Sequence, residues 1–161
     1  MTLSASPTKD GTAHRAPRPL SAPALQGAAA WPELRALHDA FRSTGGLVAA
    51  DHLARLLSHR VAQPISCLAR WIVRRQVVHV PARGQSWLPL FQFQHDFGGL
   101  QPVLPAVLAE LTPLFSDAEL AQWFGRGHVH LGGAAPAELV ASDAPAVLLA
   151  ARTDRFLASM W

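Results

Sequence analysis

The chain has 161 residues, 50% of them hydrophobic and 16% charged, with a mean hydropathy of +0.15 and a formal net charge of +3. This composition builds a core and excludes a mainly disordered chain. The single cysteine, Cys67, excludes an internal disulfide framework and a cysteine-only zinc site, and no apolar run approaches the roughly 18–20 residues that cross a bilayer. A soluble, cytoplasmic protein is expected.

The distribution of charge says more than its sum. Residues 1–51 carry five Lys/Arg and four Asp/Glu; residues 52–95 carry six Arg and no acid; residues 96–161 carry three Arg and seven Asp/Glu. A basic middle followed by an acidic end suggests two modules with different partners. The basic one is of the kind that faces nucleic acid, or it is a face that merely keeps the protein solvated.

Residues 1–31 read as a flexible Pro/Ala-rich tail, with Pro7, Pro17, Pro19 and Pro23 and no apolar periodicity. It lacks the continuous apolar stretch of a secretory signal. Trp31-Pro32 opens the first helix, with Leu34, Leu37, His38 and Phe41 at helical spacing and Gly45-Gly46 as its stop. Ala50, Leu53, Ala54 and Leu57 recur at i, i+3, i+4, i+7. Ile65, Leu68, Ala69 and Ile72 repeat that spacing after Pro64. Two short helices joined by residues 59–63 have the plan of a helix-turn-helix.

The expected outward face of the second helix holds Cys67, Arg70, Trp71, Arg74 and Arg75. Arginine pairs bidentately with guanine or clamps phosphate; the alternative is a solvated helix face. Trp71 either meets the DNA backbone or packs inward. Val77 to Val80 read as a strand, residues 81–85 as a turn with Arg83 at its tip, and Ser86-Trp87-Leu88 as the return. Such a hairpin would be a wing. In the junction that follows, Phe91 and Phe93 alternate with glutamines, as if to fill one face.

The last third reads as helical. Val103, Leu104, Val107, Leu108 and Leu111 form a stripe that Pro113 ends. Ser116 with Glu119 spells a capping box, and Phe115 with Leu120 the accompanying hydrophobic staple. That helix carries Trp123-Phe124 and stops at Gly125. The loop 125–133 leads to a short helix at Pro136, and Asp143 caps a final one. The fold class expected is therefore mainly α: a winged or excisionase-like helix-turn-helix with a small β-hairpin over 32–95, then a helical domain over 96–161.

The order Trp123-Phe124, Leu131-Gly132-Gly133 and Pro136-Ala137-Glu138-Leu139-Val140 resembles the toxin-binding domain of the Xre/MbcA/ParS antitoxin family. The segment 87–93 resembles the junction that precedes that domain, and Val147-Leu148-Leu149 its closing aliphatic cluster. Phe124 and Val140 stand where the family carries aliphatic and leucine residues, and His128-Val129-His130 replaces its asparagine-containing loop. The resemblance implies an antitoxin of a type II system: a homodimer that binds a RES-type, NAD-targeting toxin directly and represses its own promoter on double-stranded DNA. Under it, Trp123, Leu131, Gly132, Gly133, Pro136 and Leu139 are structural. The toxin-facing candidates are Arg126, His128, His130, Arg152, Arg155 and Trp161. The DNA candidates remain Arg70, Trp71, Arg74, Arg75 and Arg83.

Other chemistry is thinly represented. His128-x-His130 lacks a second ligand pair for zinc, no nucleophile elbow or phosphate loop is present, and Cys67 has no catalytic context. No catalysis, cofactor, metal or membrane is expected. The alternatives that stay open are a stand-alone winged helix-turn-helix regulator and a DNA-free interaction adaptor.

Overall fold

The computed structural model describes residues 32–82 and 84–160. Arg83, Trp161, Trp31 and the 1–31 tail lie outside the described residues. The elements are α1 (Pro32–Ala40), β1 (Leu47–Ala49), α2 (Ala50–Leu57), α3 (Pro64–Val73), β2 (Val80–Ala82), β3 (Gln85–Pro89), α4 (Leu104–Leu111), α5 (Asp117–Gly125), α6 (Pro136–Leu139) and α7 (Ala144–Ala158). The protein is mainly helical with a small three-stranded antiparallel sheet in the order β1-β3-β2. Among the described residues no helix is long and apolar enough to cross a membrane.

Short-range signals place most helix ends. Pro64 and Pro136 occupy first-turn positions of α3 and α6, where a missing N–H costs nothing. Ser116 and Glu119 form the reciprocal capping box, with Ser116 N–H donating to the Glu119 carboxylate at 2.8 Å. That N–H and the Ser116 hydroxyl hold the Glu119 carboxyl below its ordinary range. Asp143 accepts from Ala146 N–H and caps α7. After α1, Gly46 sits at φ +76°, and a Cβ there would collide with the His38 ring. His38 Nδ1 accepts from Leu47 N–H at 3.1 Å, and burial lowers its pKa below 6.5. The neutral ring is the native form, so its contribution is complete above pH 6.5 and is lost as pH falls through the folded value.

The sheet separates two hydrophobic cores. Side chains alternate across a strand, so Leu47, Ala49 and Trp87 face one core and Val48 and Leu88 the other. The smaller core joins the sheet to Leu53, Leu57 and Leu68 of α2 and α3. The larger joins it to α1 and to α4, α5, α6 and α7. The core therefore does not divide at 95/96: the sheet and α1 are shared with the acidic half.

Several expectations are corrected here. β1, buried on both sides, reads in the sequence only as the end of a glycine stop. The hairpin starts at Val80, three residues later than Val77, and Gly84 before β3 has φ +77°. Val77 and Val78 lie outside the ladder because Gln92 has taken the peptide groups of Val78, accepting from its N–H and donating to its carbonyl, both at 2.8 Å. Pro81 is tolerated within β2 because β2 is an edge strand. Phe91 and Phe93 do not share a face: the 3-10 turn at Leu90–Gln92 sends Phe91 into the larger core and Phe93 into the smaller.

Candidate nucleic-acid and partner interfaces

α2 and α3 pack against each other through Leu53, Leu57 and Leu68. This contact sets the rotation of α3. Cys67 is half-buried, and Trp71 packs on Phe93 with centroids 6.1 Å apart. Trp71 takes the inward of the two placements open to it, because Leu68 and Ile72 draw that side of the helix into the smaller core. The solvent arc instead holds Ile65, Ser66, Ala69, Arg70, Val73 and Arg74. Among the described residues no carboxylate lies within salt-bridge distance of Arg70 or Arg74. Both side chains are exposed to solvent.

Arg75 is different. It follows the end of α3 at φ +51°, a left-handed turn that re-aims the side chain. Its guanidinium donates to Thr112 O at 2.9 Å, Phe115 O at 2.7 Å and Asp117 Oδ1 at 3.1 Å. His79 Nε2 lies 3.3 Å from the other oxygen, Asp117 Oδ2. The outward placement expected of Arg75 is thus corrected: it braces the α4–α5 connection, donating to the orphan Thr112 carbonyl at the end of α4 and to the loop carbonyl of Phe115. Arg75→Ala is expected to lower the thermal midpoint by several degrees, since about 1–3 kcal/mol of charge-assisted bonding to partly exposed partners is lost. An unchanged midpoint would show that the two carbonyls find other donors.

On the acidic side, His128 is also turned inward. Its side chain is 12% exposed, and its Nε2 lies 2.9 Å from Asp154 Oδ2, the same atom that receives Trp123 Nε1–H at 2.7 Å. His128 Nδ1 accepts from His130 N–H, which leaves the proton on Nε2. Trp123, His128 and Asp154 thus clamp the loop 125–133 to α7. Gly132 and Gly133 turn that loop at φ +64° and +87°, and Pro136 is buried under it. Leu131 and Leu139 pack half-buried against the larger core. His130 and Arg126 stay exposed, Arg126 at the rim of an apolar groove of about 860 Å³ between α1, β2 and α5. That groove has no pair of titratable side chains poised for acid–base work among its described lining. Nor do three His, Cys, Asp or Glu gather as a metal site among the described residues.

Arg152 and Arg155 both reach Glu110 on α4, at 3.3 Å and 2.8 Å. The Arg155 hydrogen bond, with Arg152 behind it, holds the Glu110 carboxyl below its ordinary range. Beside these arginines α7 exposes Leu149 and Phe156, 65% and 64% accessible, and Met160 just past its end is 66% accessible. The i, i+7 spacing puts Leu149 and Phe156 on one stripe. The sequence reading missed this stripe. Its signal was present, because α7 is apolar on more sides than one core contact can cover. Comparison with protein-family models, with curated proteins and with solved structures finds no match to this chain.

Proposed function

We propose that this protein is a DNA-binding repressor that also holds a protein partner, and specifically an antitoxin that occludes a RES-type toxin and represses their shared promoter. The observation that carries the DNA half is α3, a short helix packed on α2 whose solvent arc holds Arg70 and Arg74 within 44 residues that contain no acid. The order α1, β1, α2, α3, β2, β3 with the sheet order β1-β3-β2 supports a winged helix-turn-helix reading. In that reading α3 enters the major groove and the β2–β3 hairpin reaches the backbone. The partner half is supported by the Trp-Phe, Leu-Gly-Gly and Pro-Ala-Glu-Leu motif order and by the unpartnered apolar stripe on α7. Exposed aliphatic and aromatic side chains flanked by arginine have the composition of an interface centre and its rim. Occlusion requires no chemistry of this chain.

The test is a salt-titrated mobility shift on the DNA upstream of its own gene, together with co-expression with the adjacent gene's product. DNA affinity is expected to fall steeply with salt, by a slope of about −0.9 per neutralised phosphate. Arg74→Ala is expected to weaken it about tenfold while the protein complex and growth rescue persist. Salt-independent binding, or loss of both activities in Arg74→Ala, would refute the division of labour. DNA binding without complex or rescue would leave a stand-alone regulator.

A further inference from the structure

The outward arc of α3 is split lengthwise. Ser66, Arg70 and Arg74, four residues apart, line one side. Ile65, Ala69 and Val73, also four apart, line the other. Ile65 is 75% exposed and Val73 82%. Two large β-branched side chains held in water within one ten-residue helix gain nothing from burial, and branching at Cβ lowers helix propensity. The first turn of α3 also lacks an acidic residue, although its dipole would favour one there. A helix that only faced solvent would be filled the other way.

Resting on the DNA reading above, we propose that Ile65 and Ala69, continued by Val73, are specificity residues that pack on the C5-methyl groups of thymines, while Arg70 and Arg74 take guanine or phosphate. The column rises about 1.5 Å per residue, so Ile65 to Val73 covers roughly 12 Å, the length of roughly three to four stacked base pairs. The thymine methyl is the apolar feature of that groove, and small or branched aliphatic side chains are its partners. Ile65 leads because residues at the start of a recognition helix reach deepest.

The experiment selects preferred sites from random duplexes with the full chain, then replaces each preferred thymine by deoxyuridine, which removes only the methyl. The expected result is a loss of about fourfold in affinity at each contacted position, the factor carried by one buried methyl group. Ile65→Ala, whose side chain lies outside both cores, is expected to fold normally and to bind thymine and deoxyuridine sites equally at the position it contacted. Equal affinity of the wild-type protein for both bases, or the same deoxyuridine loss in Ile65→Ala, overturns the inference while leaving salt-dependent DNA binding intact. Absence of any DNA binding at low salt overturns the reading on which it rests. Loss of the protein complex in Ile65→Ala with DNA binding unchanged assigns the column to a protein and also overturns it.

Discussion

Phe124→Ala is expected to cost about 3–5 kcal/mol of folding stability, the range found when a buried aromatic ring is deleted from a packed core. Phe124 is fully buried. Its ring centroid lies 4.9 Å from Phe91 and 4.9 Å from Trp123, the latter edge-on, and Phe91 stacks in turn on Phe41 at 5.5 Å. The substitution therefore opens a void at the centre of an aromatic row that ties α1, the turn after β3, and α5 together. A stability deficit of that size is a large fraction of what a domain of this length possesses. Urea unfolding followed by tryptophan fluorescence should show a lower midpoint with the slope unchanged. A deficit below about 1 kcal/mol would mean that the row collapses on the gap and that the ring is not a keystone. Phe124→Leu keeps much of the volume and should lose clearly less.

Gln92→Leu should produce the second large loss, about 2–4 kcal/mol, although it makes the core more apolar. Gln92 has no exposed surface, and its amide pairs both peptide groups of Val78. Leucine leaves a buried N–H and a buried C=O without partners, each costing about 1–3 kcal/mol, against a modest gain in apolar burial. Gln92→Glu separates hydrogen bonding from volume. At neutral pH its carboxylate would face the Val78 carbonyl and be strongly disfavoured. A protonated acid can donate to that carbonyl and accept from the N–H, so burial raises its pKa in the folded state. The deficit of Gln92→Glu should shrink as pH falls, which is the opposite of acid destabilisation in the parent chain. A deficit that is constant with pH, or a Gln92→Leu variant as stable as the parent, would show that Val78 finds other partners.

What the sequence could and could not show follows from the range of each interaction. The α5 start was legible because Ser116 and Glu119 act across three residues, and a capping box is complete within one turn. The starts of α3, α6 and α7 were legible for the same reason, through Pro64, Pro136 and Asp143. Rotation of α3 was not. Helical spacing admits Ile65-Leu68-Ala69-Ile72 as an inward stripe, but Leu68 with Trp71 and Ile72 is what the smaller core accepts. The candidate DNA arc therefore lost Trp71, Cys67 and Arg75 and acquired Ile65 and Val73. On α7 the spacing likewise offered two apolar faces, and packing against α4 decided which one stayed in solvent.

By itself, then, the sequence determined the helical character, most helix boundaries, the turn glycines and the separation of basic from acidic segments. These depend on backbone stereochemistry, on contacts within a turn or two, and on composition. Only the tertiary structure decided that Gln92 stands in for a strand, that Arg75 braces α4 to α5, that His128 faces Asp154, and that β1 completes the sheet. In each of these the partners lie far apart in sequence, between 14 residues for Gln92 and Val78 and 42 for Arg75 and Asp117. The energy of such a contact exists only once burial has removed water as the competing partner.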